Sequence, residues 1–128
     1  MREDAENRSL YQSLIEIATE AWRFKRVFER AMSKLDAGDS ARYLSQYSWF
    51  GKKVEAALEN AGLRIVNMEG QYYDVGMAAT PLNIDDFEQE DKLYVEQMVE
   101  PIIMDGDTVA KSGSVILGRV GKWSITLV

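Results

Sequence analysis

Leu10, Leu14, Ile17, Ala21, Phe24, Phe28, Ala31 and Leu35 recur at spacings of 4-3-4-3-4-3-4. An apolar series with that period marks an α-helix carrying a continuous seam about four heptads long, and the seam has to be covered by something. Ile15, Ala18, Trp22, Val27 and Met32 flank it and widen the apolar face beyond the narrow stripe of a two-stranded zipper. A face that wide suits a helix in a bundle. Ser9 followed three residues later by Gln12 is a capping-box pattern and predicts a helix start there, with Asp4 and Glu6 suited to an upstream extension. The same reading runs the helix to about Ala37, places Gly38 at a left-handed C-cap and lets Asp39 cap the next helix.

A second helix is predicted over about Ser40 to Ala61 from Tyr43, Tyr47, Phe50, Val54, Ala57 and Ala61, broadened by Leu44 and Leu58 and ended by Gly62. Gly51 inside it costs about 1 kcal/mol relative to alanine, unless the missing side chain permits a close helix approach. Two helices on so short a turn form a hairpin. Trp22, Trp49, Phe24, Phe28 and Phe50 are too many large rings for a lone hairpin to bury. A second copy completing a four-helix bundle by two-fold symmetry is therefore expected. Leu10, Leu14, Ile17, Trp22, Phe24, Phe28, Tyr47, Phe50 and Val54 are the residues expected to make that dimer.

After Gly62 helical spacing gives way to short β-type runs, Leu63–Met68, Leu93–Met104, Val115–Val120 and Trp123–Val128. Gly70 marks a turn before Tyr72–Val75, while Gly76 and Pro81 break the next stretch. Leu93, Val95, Gln97 and Val99 alternate onto one side of a strand that Pro101 interrupts. Asp105-Gly106, between Ile102-Ile103-Met104 and Thr108-Val109, is a strong hairpin signal. The expected fold class is α+β: residues 1–62 a helical hairpin for dimerisation, residues 63–128 a small, mostly antiparallel β domain.

Composition narrows the chemistry. The 128 residues contain no cysteine and no histidine, which removes disulfides, thiolate catalysis, imidazole bases and His-ligated zinc. A net charge of −6 argues against a nucleic-acid or anionic-membrane surface, because phosphate binding needs clustered Lys and Arg. Arg23, Lys25, Arg26 and Arg30 do cluster, but Glu20 and Glu29 lie among them, as on a solvated helix face. No apolar run approaches a membrane span, and the charged MREDAENRS start lacks the apolar stretch of a signal peptide, so a cytoplasmic location is expected. Asp85, Asp86, Glu88, Glu90 and Asp91 are acidic but lack the ordered register and turn glycine of a calcium loop, and read as a surface loop. No catalytic residue, metal ligand or cofactor site is expected, and the chain reads as a non-enzyme that holds a partner.

Several segments resemble the GrpE family, the nucleotide exchange factors of DnaK-type chaperones. The order of parts is similar over about residues 10 to 120. Leu58-Glu59-Asn60-Ala61-Gly62-Leu63 resembles the family's leucine–x–x–x–glycine–valine passage from the last helix into the first strand. Gly70-Gln71-Tyr72-Tyr73-Asp74 resembles its glycine–x–x–aromatic–aspartate–proline stretch. Asp105-Gly106-Asp107-Thr108-Val109, with Lys111, Val115 and Leu117, is similar to its closing hairpin if one residue is inserted. Val75 stands where the family has proline, Ala78 where it has histidine, and Lys111 where it has arginine, which lysine cannot match as a bidentate donor. Ile102-Ile103 replaces a glycine–tyrosine pair, and most of the long N-terminal stalk helix is missing. The resemblance implies a homodimer whose β domain presses on the nucleotide-binding lobe of a chaperone ATPase and promotes ADP exchange. It implies partner contacts through Tyr73, Asp74, Met77, Asp107 and Lys111. The rival reading keeps the scaffold but serves as an adaptor regulating a different ATPase, GTPase or assembly. A biotinyl- or lipoyl-type carrier is a further alternative, weakened because Val99 follows Glu96-Gln97-Met98 where the modified lysine would stand.

Overall fold

The computed structural model describes residues 2–121. The strand expected over Trp123–Val128 lies outside them. The class is α+β: two helices come first, followed by two small sheets. The chain divides into two compact units, residues 1–64 and 65–128, two residues beyond the boundary expected at Gly62.

In the first unit, helix α1 spans Arg2–Ser33 and α2 spans Ala37–Asn60. α1 starts well before Ser9, with Glu3 and Asp4 in its first turn, where carboxylates suit the positive end of the dipole. Its end also differs from expectation. Asp36, not Asp39, caps α2: its backbone is extended (φ −69°, ψ 168°) and its Oδ1 accepts from the Asp39 amide at 2.8 Å. Gly38 therefore lies inside the first turn of α2, not at a left-handed cap. Gly62 does take a positive φ, 77°, just past the end of α2.

The hairpin is sewn together by rings. Phe28 stacks on Tyr47 (centroids 6.1 Å, planes 8° apart) and meets Tyr43 edge-on, while Phe24 meets Phe50 edge-on at 6.5 Å. Residue numbers rise on one helix as they fall on the other, so the two helices are antiparallel. Such pairs add about 0.5–1.5 kcal/mol each beyond the area they bury. The most buried residues of α1 are Ile15, Ala18 and Thr19, and the Thr19 hydroxyl donates to the Ile15 carbonyl. Ile17 and Phe24 of the heptad seam stay 66% and 61% exposed. Ile15 and Ala18 of the flanking stripe are thus buried more deeply than any residue of the seam, although Phe24 and Phe28 of the seam still meet rings of α2.

β1 (Leu63–Val66), which runs across the division between the two units, joins β4 (Ile102–Asp105) and β5 (Thr108–Lys111) in one three-stranded sheet in the order β1-β4-β5. The other sheet has the order β2-β6-β3, from β2 (Ala79–Pro81), β6 (Gly113–Arg119) and β3 (Leu93–Glu100). β3 runs antiparallel to β6, whereas β2 runs parallel to it. The Asp105-Gly106 signal corresponds to the β4–β5 turn, with Gly106 at φ 59°. Pro101 separates β3 from β4, as its missing N–H predicts, but it is buried.

The expected face of β3 is corrected by two register shifts, between Val95 and Gln97 and between Met98 and Glu100. Each inserts a residue and turns the following side chains over, so Val95 and Met98 are buried while Gln97 is exposed. Ile102, Ile103, Val115 and Leu117 complete this core. Burying each such side chain contributes about 1.5–3 kcal/mol. Two glycines sit at close approaches, Gly118 against a side chain and Gly113 against backbone. A Cβ on Gly118 would sit 2.6 Å from the Tyr94 ring, and one on Gly113 would sit 2.7 Å from the Glu100 carbonyl oxygen.

Candidate functional site

β3 has a further neighbour that is not a named strand. Gly70 N donates to Val95 O, Val95 N to Gln71 O, and Tyr73 N to Leu93 O, at 2.8–2.9 Å, around a Tyr72–Tyr94 antiparallel bridge. The segment is anchored at its start by Glu69, whose Oε2 accepts from Met98 N at 2.8 Å. At its end Asp74 turns the chain, accepting through Oδ1 from Gly76 N while its carbonyl accepts from Met77 N. Tyr73 and Asp74 are thereby fixed beside the start of β3.

The facing wall is the acidic stretch after β2. Asn83 holds it by imitating a peptide group. Its Nδ2 donates to Leu117 O at 3.0 Å, and its Oδ1 accepts from Leu117 N at 2.8 Å. A 3-10 turn over Ile84–Asp86 follows, and then Asp91 closes the loop. Asp91 Oδ2 accepts from Glu88 N at 2.8 Å and lies 3.1 Å from Arg119. The Arg119 guanidinium in turn sits over the Phe87 ring, 5.6 Å from its centroid.

Between these walls lies a groove of about 890 Å³, whose lining includes Tyr72, Tyr73, Val75, Ile84, Phe87 and Leu93 with Asp74, Glu88 and Lys92 around them. Tyr72, Val75 and Ile84 are 72%, 88% and 43% exposed. Of the residues singled out from sequence, Tyr73 and Asp74 line this groove. Met77 is half-buried one turn beyond. Asp107 is exposed at the β4–β5 turn, away from these residues in the other sheet. Lys111, on β5, is engaged: its Nζ pairs with Glu100 Oε2 at 3.2 Å, and Glu100 Oε1 accepts from Ser114 Oγ at 2.9 Å. Sequence reasoning missed Val75, Ile84 and Phe87. The available signal was the presence of large apolar side chains inside an otherwise acidic surface loop.

The residues expected at a dimer contact lie along the hairpin. Leu10, Ile17, Phe24 and Phe50 are exposed, whereas Leu14, Trp22, Phe28, Tyr47 and Val54 are half-buried. A mostly apolar pocket of about 180 Å³ lies among Phe24, Phe28, Tyr47 and Phe50. Lys25 crosses it, its Nζ 5.0 Å from the Tyr47 ring centre and 3.0 Å from where a Gly51 Cβ would be. Gly51 thus leaves room for the tip of a lysine. The Tyr47 hydroxyl donates to Glu29 Oε1. Burial, then that bond and the Glu29 charge, push the phenol up from 10.0 to about 12, with Arg26 opposing.

Among the described residues no three acidic side chains come together as a metal-ion site, and no helix is long and apolar enough to cross a membrane. Comparison with protein-family models, curated proteins and solved structures gives no match.

Proposed function

We propose that this chain is a GrpE-like, non-catalytic regulator. It pairs with a second copy through its helical hairpin, and its β unit binds the nucleotide-binding domain of a DnaK-type chaperone ATPase and promotes release of ADP. The observation that carries this reading is the exposed apolar row on the hairpin. Leu10, Ile17, Phe24, Trp49 and Phe50 stay in water on one copy, a larger apolar display than a lone soluble hairpin carries. The mechanism needs no reacting side chain. A factor that binds the open, nucleotide-releasing form of an ATPase better than the closed form shifts the population toward release, and bound nucleotide weakens the factor by the same amount.

One observation favours the adaptor reading in which the same scaffold serves another ATPase, GTPase or assembly. Lys111, in the slot where the GrpE family carries arginine, is tied to Glu100 within its own unit. The deciding experiment mixes the full chain with the DnaK-type chaperone of its host loaded with a fluorescent ADP analogue. Faster analogue release on addition of the chain supports exchange. Unchanged release over a saturating range refutes it and leaves the adaptor.

A further inference from the structure

The groove between residues 72–75 and 84–93 has three properties that together specify an occupant. First, it is apolar and open: Tyr72, Val75 and Ile84 present large side chains to solvent along it. Second, it is the acidic pole of the chain. Residues 72–93 carry six carboxylates against the single lysine Lys92, a net of −5 out of −6 for all 128 residues. Asp91 is neutralised by Arg119, but Glu88 stands exposed at the groove with Asp85, Asp86 and Glu90 close by in sequence. Third, one wall is an open strand edge. In the Tyr72–Tyr94 bridge the hydrogen bonds are made by Gln71 and Tyr73, so Tyr72 directs its own N–H and C=O away from β3. Such an edge accepts an added strand unless charge or shape forbids it.

From these we propose that the groove binds an extended segment of a partner protein in which arginine or lysine alternates with bulky apolar residues. The backbone of the segment extends the sheet at Tyr72, its apolar side chains cover Val75 and Ile84, and its cations face Glu88 and its neighbours. The chain already contains one instance of this chemistry: Arg119 lies over Phe87 and is held by Asp91. Charge excludes the same surface of a second copy as the occupant, since two acidic poles repel. The inference rests on the β unit engaging a protein partner and is independent of whether nucleotide exchange follows.

The test titrates the full chain into fluorescein-labelled synthetic peptides and reads anisotropy. The peptides alternate arginine with leucine, arginine with serine, or glutamate with leucine. The arginine–leucine peptide is expected to bind, more weakly as salt rises. The other two are expected to bind at least about tenfold more weakly, because each lacks one of the two complementary features. Val75 is almost wholly exposed, so Val75→Lys leaves folding intact, and Glu88→Lys replaces a solvated side chain. Each is expected to weaken the arginine–leucine peptide by about tenfold. Equal binding of all three peptides, binding untouched by either variant, or N-acetyl-arginine amide binding as tightly as the peptide overturns the proposal. The last outcome would identify a small-cation site. Failure here with faster ADP release in the chaperone assay removes the groove and leaves the exchange reading. Peptide binding without faster release does the reverse.

Discussion

Gly113→Ala is the sharpest single test of how the β unit is packed. The added methyl would lie 2.7 Å from the Glu100 carbonyl oxygen, about 0.7 Å inside the 3.4 Å at which ordinary contact begins. Met98 Cε at 2.9 Å can swing away. The Glu100 carbonyl cannot, because Pro101 and the register shift after Met98 fix that corner of the backbone. Overpacking of this kind costs about 1–3 kcal/mol. Alanine recovers about 0.4–1 kcal/mol by restricting the unfolded chain. The net loss is about 1–2 kcal/mol, or roughly a five- to thirtyfold fall in the folded-to-unfolded ratio. Gly76→Ala is the control, since its methyl meets only Asp74 side-chain atoms at 3.6–3.9 Å and its φ is not in the left-handed region. Hydrogen exchange resolved to the β3 and β6 amides reads this unit alone. Exchange should quicken by that factor in Gly113→Ala and stay level or slow slightly in Gly76→Ala. Identical protection in Gly113→Ala and the parent chain would refute the close approach.

Tyr47→Phe should change how the hairpin responds to alkali. The raised value of about 12 means the folded hairpin favours the protonated phenol, so its contribution is full below pH 10 and disappears as pH rises through 12. The stability difference between the parent chain and Tyr47→Phe, from circular-dichroism melts, should therefore shrink between pH 10 and 12. A difference constant across that window would count against the Glu29 contact. For the dimer, Phe24→Glu with Phe28→Glu should convert a sedimenting dimer to monomer at micromolar concentration or unfold the helical half, since each covered phenylalanine contributes about 1.5–3 kcal/mol and both also meet rings of α2. A parent chain that sediments as a monomer, or a double variant that remains a dimer, ends the pairing proposal.

What could be read from the chain beforehand was local chemistry. Gly62 after an apolar helix, Asp105-Gly106 between β-rich runs, and Pro101 without an N–H each impose their conformation within a few residues. Where two local solutions compete, sequence alone does not choose between them. Asp36 and Asp39 both suit an N-cap, and the one that wins is three residues ahead of the other's amide. The face of β3 depends on irregularities that no alternation pattern announces. β2 is three residues long and includes a proline, so it exists only because β6 offers a parallel partner. The groove was invisible for the same reason. Tyr72–Val75 and Ile84–Leu93 meet through the backbone bonds to β3 and the Asn83 side chain, contacts between residues far apart in sequence. Tyr73 and Asp74 stand out in the sequence only through a family resemblance, which carries no information about the cleft they line.

The Glu100 carboxylate touches Lys111 of β5 and Ser114 of β6, and so fastens a strand of each sheet to the end of β3. Neither sheet can open at that corner without stranding the charge or the hydroxyl of the other. Loss of the Glu100 carboxylate would therefore be felt in both sheets at once, at the corner where β3 ends.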